Sequence, residues 1–134
     1  MADIAMGKIS STRLGQIAAE TMWELSAEIS GTVTVDSWWF GPRDLDFVLR
    51  GVARSGRPYV IEVWCDISPQ LAWSRYGARM RHETHPIGDE TRVPWKDWSE
   101  NAAPLSVGTT VRVDTAVPVD LTPLVNNLSA LIRP

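Results

Sequence analysis

The residue types best suited to chemistry in this 134-residue chain gather between Arg75 and His85. Arg75, Arg79 and His82 recur at helical spacing, which sets two guanidiniums and an imidazole on one face, with Arg81 and His85 beside them. Arginine stays charged and meets phosphate through two parallel N–H donors, so such a face points to an anion such as a polyphosphate. A solvated basic face paired with nearby acids is the competing reading. The second candidate is Asp36, an acid expected at the carboxyl end of a strand, where open α/β sheets bind ligands. An acid in that place holds magnesium or its water, or orients an acceptor hydroxyl, in phosphoryl transfer; capping of the next segment explains it equally well. Asp66, after the following strand, reads as a helix cap.

Other chemistries find less support. His82, His85 and Cys65 match no closed zinc spacing, so no metal site is expected. Cys65 lies in an apolar run where a thiolate is disfavoured, and no Ser-His-Asp arrangement is present. The chain has seven tryptophans, many for its length. Trp23, Trp64 and Trp73 read as core, whereas Trp38, Trp39, Trp95 and Trp98 fit either core ends or surfaces that stack on a base, a sugar or a partner.

Positioning these groups falls to an alternation of helices and strands. Leu14, Ile17, Ala18, Met22, Leu25 and Ile29 share one face of a helix over 11–29, with Ser10 or Ser11 to cap it and Gly31 to end it. The β-branched run 32–36 predicts a short strand. A second helix over 42–54 places Leu45, Val48, Leu49 and Val52 inward, and 55–58 breaks it. Tyr59 to Cys65 is nearly continuous in apolar residues, as in an inner parallel strand covered on both sides. A third helix, capped by Asp66 or Ser68, runs to about His82. Residues 83–108 carry Pro86, Pro94 and Pro104 and read mainly as loop, with a helical turn near Trp95–Trp98. A last strand over 109–115 turns Val111 and Val113 inward, and Asp120 caps a closing helix with Leu121, Leu124, Val125, Leu128, Leu131 and Ile132 on one stripe. The expected class is α/β, a three-layer parallel sheet with helices on both faces.

Bulk properties bound the function. A composition 44% hydrophobic and 22% charged suits one globular domain over 1–134. A net charge of −3 leaves no basic surplus for a phosphate backbone, so nucleic acid is not expected as a partner. No apolar run approaches the roughly 20 residues that cross a bilayer, and the amino-terminal residues lack the apolar core of a signal peptide. A cytoplasmic protein without membrane contact is the expectation.

The run 59–69, then Leu71-Ala72, Arg75, Arg79, Arg81-His82 and His85-Pro86, resembles the fourth-strand and lid region of small P-loop kinases of the AAA-family ATPase, zeta-toxin-like and gluconate-kinase-like groups. Gly31 to Ser37 is similar to their third strand with its terminal acid, and 111–125 to their last strand and closing helix. The resemblance covers about residues 11–132, with a lid-like region at about 69–108. It implies a P-loop kinase-like protein that binds a nucleotide or phosphorylated small molecule, with ATP and magnesium as cofactors. Arg75, Arg79, Arg81 and His82 would contact phosphate, and Asp36 would serve catalysis. No G-x-x-x-x-G-K-[ST] loop occurs in the chain, however, and that loop supplies the amides and lysine that cradle phosphates. Phosphotransferase or ATPase activity would therefore need a P-loop from elsewhere, and the isolated chain is expected to be deficient in it. How the sheet centre is filled stays open: direct pairing of the two flanking strands, a second copy or partner chain, or a start upstream. The alternative function is a non-catalytic dimerisation or partner-interaction module that keeps the kinase-like fold.

Overall fold

Two six-residue segments of alternating character, Ile61–Asp66 (β1) and Thr109–Asp114 (β2), pair in parallel, Ile61 opposite Thr109 and Asp66 opposite Asp114. Parallel strands require a crossover. Here it runs through Pro69–Ala78 (α3) and Asp89–Asn101 (α4). The computed structural model describes residues 9–79 and 89–132. Among them the remaining helices are Ser11–Glu28 (α1), Gly41–Arg54 (α2) and Leu121–Ile132 (α5), so the chain is mixed α/β with five helices and a two-stranded parallel sheet. It divides into two compact units, Met1–Trp39 with Arg43–Pro58, and Phe40–Pro42 with Tyr59–Pro134.

The first unit is organised around Trp23, which is 8% exposed. α1 begins where Ser10 Oγ accepts the Arg13 N–H at 3.2 Å, which satisfies one orphan donor of the first turn. The Trp23 ring lies over Gly51, one turn beyond the buried Val48 of α2. Trp39 stacks on Trp23 with ring centroids 6.5 Å apart and tilts against Phe47 at 5.8 Å. Phe47, Val48 and Gly51 thus form the inner stripe, while Leu49, expected there, is 46% exposed. α2 ends in a Schellman arrangement: Arg57 N donates to Val52 O, Gly56 N donates to Ala53 O, and Gly56 takes φ +82°. Glycine meets that conformation without the Cβ penalty, and Pro58 forbids continuation.

In the second unit Ser68 caps α3 by accepting the Leu71 N–H at 3.3 Å, with Pro69 at a tolerated first-turn position. Trp73 and Tyr76 on α3 pack against Trp95 on α4, with centroids 4.9 and 6.3 Å away. This cluster explains why α4 exists despite Pro94 inside it, where the sequence reads as loop. Pro94 is the sixth residue of α4 and withholds one backbone bond from it, while the next residue, Trp95, packs on α3.

Three further expectations are corrected. Residues 32–36 form no strand, because no described neighbour completes their hydrogen bonds, and β-branching alone makes only extended chain. The sheet therefore has two described strands instead of three. β1 is not covered on both faces either, for Val63 is 42% exposed and Cys65 is exposed. Finally, α3 stops at Ala78, and Arg79 takes extended φ and ψ of −77° and 129°.

A Cβ added at Gly51 would overlap the Trp23 ring. Gly51→Ala should cost about 1–3 kcal/mol in urea unfolding, as overpacked sites do. The smaller ring of Trp23→Phe in the same chain should recover part of that loss.

Candidate functional site

Parallel pairing brings the carboxyl ends of both strands to one place, and both end on an acid. Asp66 and Asp114 are register partners, so alternation puts Glu62, Trp64, Asp66, Thr110, Arg112 and Asp114 on one face of the sheet. The other face carries Ile61, Val63, Cys65, Thr109, Val111 and Val113. A mostly polar and a mostly apolar face are thereby separated within twelve residues.

At the carboxyl end of the polar face lies an open cleft of about 350 Å³, lined by Asp66, Ile67, Ser68, Arg112, Asp114 and Ala116. Arg112 Nη1 donates to Asp66 Oδ2 at 2.8 Å, and both side chains keep about half their surface in water, at 60% and 49% exposure. So exposed an ion pair contributes at most about 1 kcal/mol, and a ligand can exchange it. Asp114 Oδ1 accepts the Ala116 N–H at 2.8 Å and closes a tight turn after β2. Thr115 donates both its N–H and its hydroxyl to the Asp66 carbonyl, each at 2.9 Å, extending the ladder beyond the strand ends. The amino terminus of α3, at Ser68, contributes its partial positive charge to the same wall.

Arg75, expected to hold phosphate, binds the protein itself. Its Nη1 donates to Thr115 O at 2.6 Å and its Nη2 to Ala116 O at 2.9 Å, clamping α3 to the turn beside the cleft. Arg79 is exposed at the carboxyl end of α3, where the backbone has left the helix, so the regular spacing from Arg75 no longer sets both on one face. Arg81, His82 and His85 lie outside the described residues. Asp36 is exposed, belongs to the first unit and ends no strand, whereas Arg75 and Arg79 belong to the second. Among the described residues no group of three or more His, Cys, Asp or Glu is arranged to hold a metal.

The residues that line the cleft were hidden in the sequence by their ordinary roles. Asp66 reads as a cap, yet Ser68 does the capping and Asp66 pairs with Arg112. The signal that finds them is the repetition of one ending, Val-Trp-Cys-Asp and Val-Arg-Val-Asp, on two strands of the same sheet.

The amino-terminal side of this polar face is held by a carboxylate. Glu62 Oε1 accepts the Leu105 N–H at 2.7 Å and Oε2 the Ser106 N–H at 2.9 Å, with Ser106 at φ +55°. Two successive N–H groups with a left-handed residue form a small anion cradle, filled here by the protein's own acid. No family model matches the chain, and no curated protein or solved structure shows significant similarity to it.

Glu62→Gln replaces one acceptor with an N–H that faces another N–H. A loss of about 1–3 kcal/mol in urea unfolding is expected, with faster amide exchange at Leu105 and Ser106. Thr110→Val, which removes only the long 3.4 Å contact to Glu62, should change both far less.

Proposed function

We propose that the chain binds a nucleotide or phosphorylated small molecule, as its magnesium complex, in the cleft at the carboxyl ends of β1 and β2. The observation that carries this reading is the convergence of Asp66, Asp114 and Arg112 on one face at the ends of parallel strands, beside the amino terminus of α3. Ligands of open α/β sheets bind outside the carboxyl ends of strands. Two carboxylates would repel a bare phosphate. Asp66 and Asp114 are the residues that would hold a magnesium ion, which would supply the positive charge that offsets this repulsion. Arg112, paired with Asp66 in water, would be the guanidinium that meets phosphate.

On this reading the protein is related to small P-loop kinases in a three-layer arrangement, and Arg79, Arg81 and His82 are further groups that the kinase resemblance would recruit. Arg75 serves by holding the cleft wall in place. Phosphoryl transfer depends on positioning and charge stabilisation, and the chain has no glycine-rich phosphate loop to supply them. We therefore assign it binding without efficient transfer by itself.

Calorimetry tests the reading. Heat of binding is expected for ATP with magnesium and should fall away when the metal is chelated. Arg112→Ala should weaken binding roughly tenfold, about 1.4 kcal/mol, without altering the unfolding midpoint by more than the small value of an exposed ion pair. Absence of binding at millimolar nucleotide removes the proposal.

A further inference from the structure

The tryptophans of this chain mostly spend their rings on the protein itself. Trp23 stacks with Trp39, Trp73 packs with Tyr76 and Trp95, Arg43 lies over Trp38, and Trp98 also has a partner. Trp64 differs. Among the described residues its ring meets no other ring and no cation, and its indole N–H has no hydrogen-bond partner. A tryptophan N–H buried for packing usually finds an acceptor, whereas this half-buried side chain keeps part of its surface in water.

Its place in the sheet is specific. Trp64 precedes Asp66 by one same-face step of β1, a rise of about 7 Å, and stands opposite Arg112 in the register. The ring therefore adjoins the guanidinium and the carboxylate that line the cleft. An aromatic surface one step inside a phosphate site suits a ligand with a flat ring at one end and phosphate at the other, the ribose of a nucleotide bridging the rise. A sugar ring can also lie on an indole, but its hydroxyls need donors and acceptors, and those beside Trp64 are committed. Both Glu62 oxygens accept backbone N–H groups, and the Thr110 hydroxyl lies 3.4 Å from one of them. A base needs no such partner, since stacking alone holds it through its π face.

From this we infer that Trp64 is the surface on which the base of a nucleoside phosphate stacks, so that the cleft takes nucleotides in preference to phosphorylated sugars. The inference rests on the phosphate reading of the cleft and supplies the other half of the ligand.

Calorimetry on the full chain separates the two. Magnesium ATP is expected to bind at least about tenfold more tightly than magnesium tripolyphosphate, which has the same metal and phosphate chain without a base. Trp64→Ala should bring that ratio close to one, and Trp64→Phe, which keeps a π face, should retain most of it. AMP should bind more tightly than glucose 6-phosphate. Should Trp64→Ala fail to fold, NMR of the unaltered chain supplies the readout. The indole N–H signal of Trp64, identified by its absence in Trp64→Phe, should shift upfield with magnesium ATP and far less with magnesium tripolyphosphate. Tripolyphosphate affinity equal to or above that of ATP, a ratio unchanged in Trp64→Ala, an unshifted Trp64 signal, or tighter binding of glucose 6-phosphate than of AMP would each overturn the inference and leave the phosphate cleft standing. Binding of neither ATP nor tripolyphosphate would remove both.

Discussion

Register between β1 and β2 is the constraint on which the second unit depends. A slip of one residue would turn Glu62, Asp66, Arg112 and Asp114 to opposite faces and dissolve both the Glu62 cradle and the Arg112–Asp66 pair. Side-chain bonds at both ends of the ladder oppose such a slip. At the start, Glu62 holds Leu105 and Ser106 in place just before β2; at the finish, Thr115 binds the Asp66 carbonyl and Arg75 grips the two carbonyls that follow. The ladder itself has six residue pairs and would be marginal alone, so these flanking bonds define where it begins and ends.

A division of labour among the charged residues follows. Glu62 and Arg75 satisfy backbone groups, donors in one case and acceptors in the other, and so belong to the framework. Among the described residues, Arg112 and Asp66 pair with each other in an exposed place. Backbone groups left without partners are costly, whereas an exposed ion pair is nearly neutral to break, and this difference marks which pair is available to a ligand.

Much of the fold was legible in local signals. Ser10 and Ser68 mark helix starts, Gly56 before Arg57-Pro58 marks a helix end, and alternation over 109–114 marks β2. What escaped depended on partners distant in sequence. α4 rests on Trp95 meeting Trp73 and Tyr76, a contact that no periodicity within 89–101 reveals, and Pro94 points the other way. Residues 32–36 have strand composition, and among the described residues no strand pairs with them. For the site, type and spacing singled out Arg75 as a phosphate ligand, whereas its guanidinium donates to the carbonyl oxygens of Thr115 and Ala116. Arg112 and Asp114 were read only as members of a strand, since their proximity to Asp66 arises from pairing across more than forty residues.

The approach of the chain at Gly108 limits how this protein can vary. A methyl group there would overlap the Val60 carbonyl, the same oxygen that accepts the Thr109 N–H at 3.0 Å. The crossover thus returns to the sheet through a gap that admits bare backbone alone, immediately after a turn pinned by Glu62. Changes in length between α4 and β2 are therefore confined to residues 102–104, upstream of the pin. Natural or engineered insertions would accumulate there, while 105–108 would keep its length and its glycine.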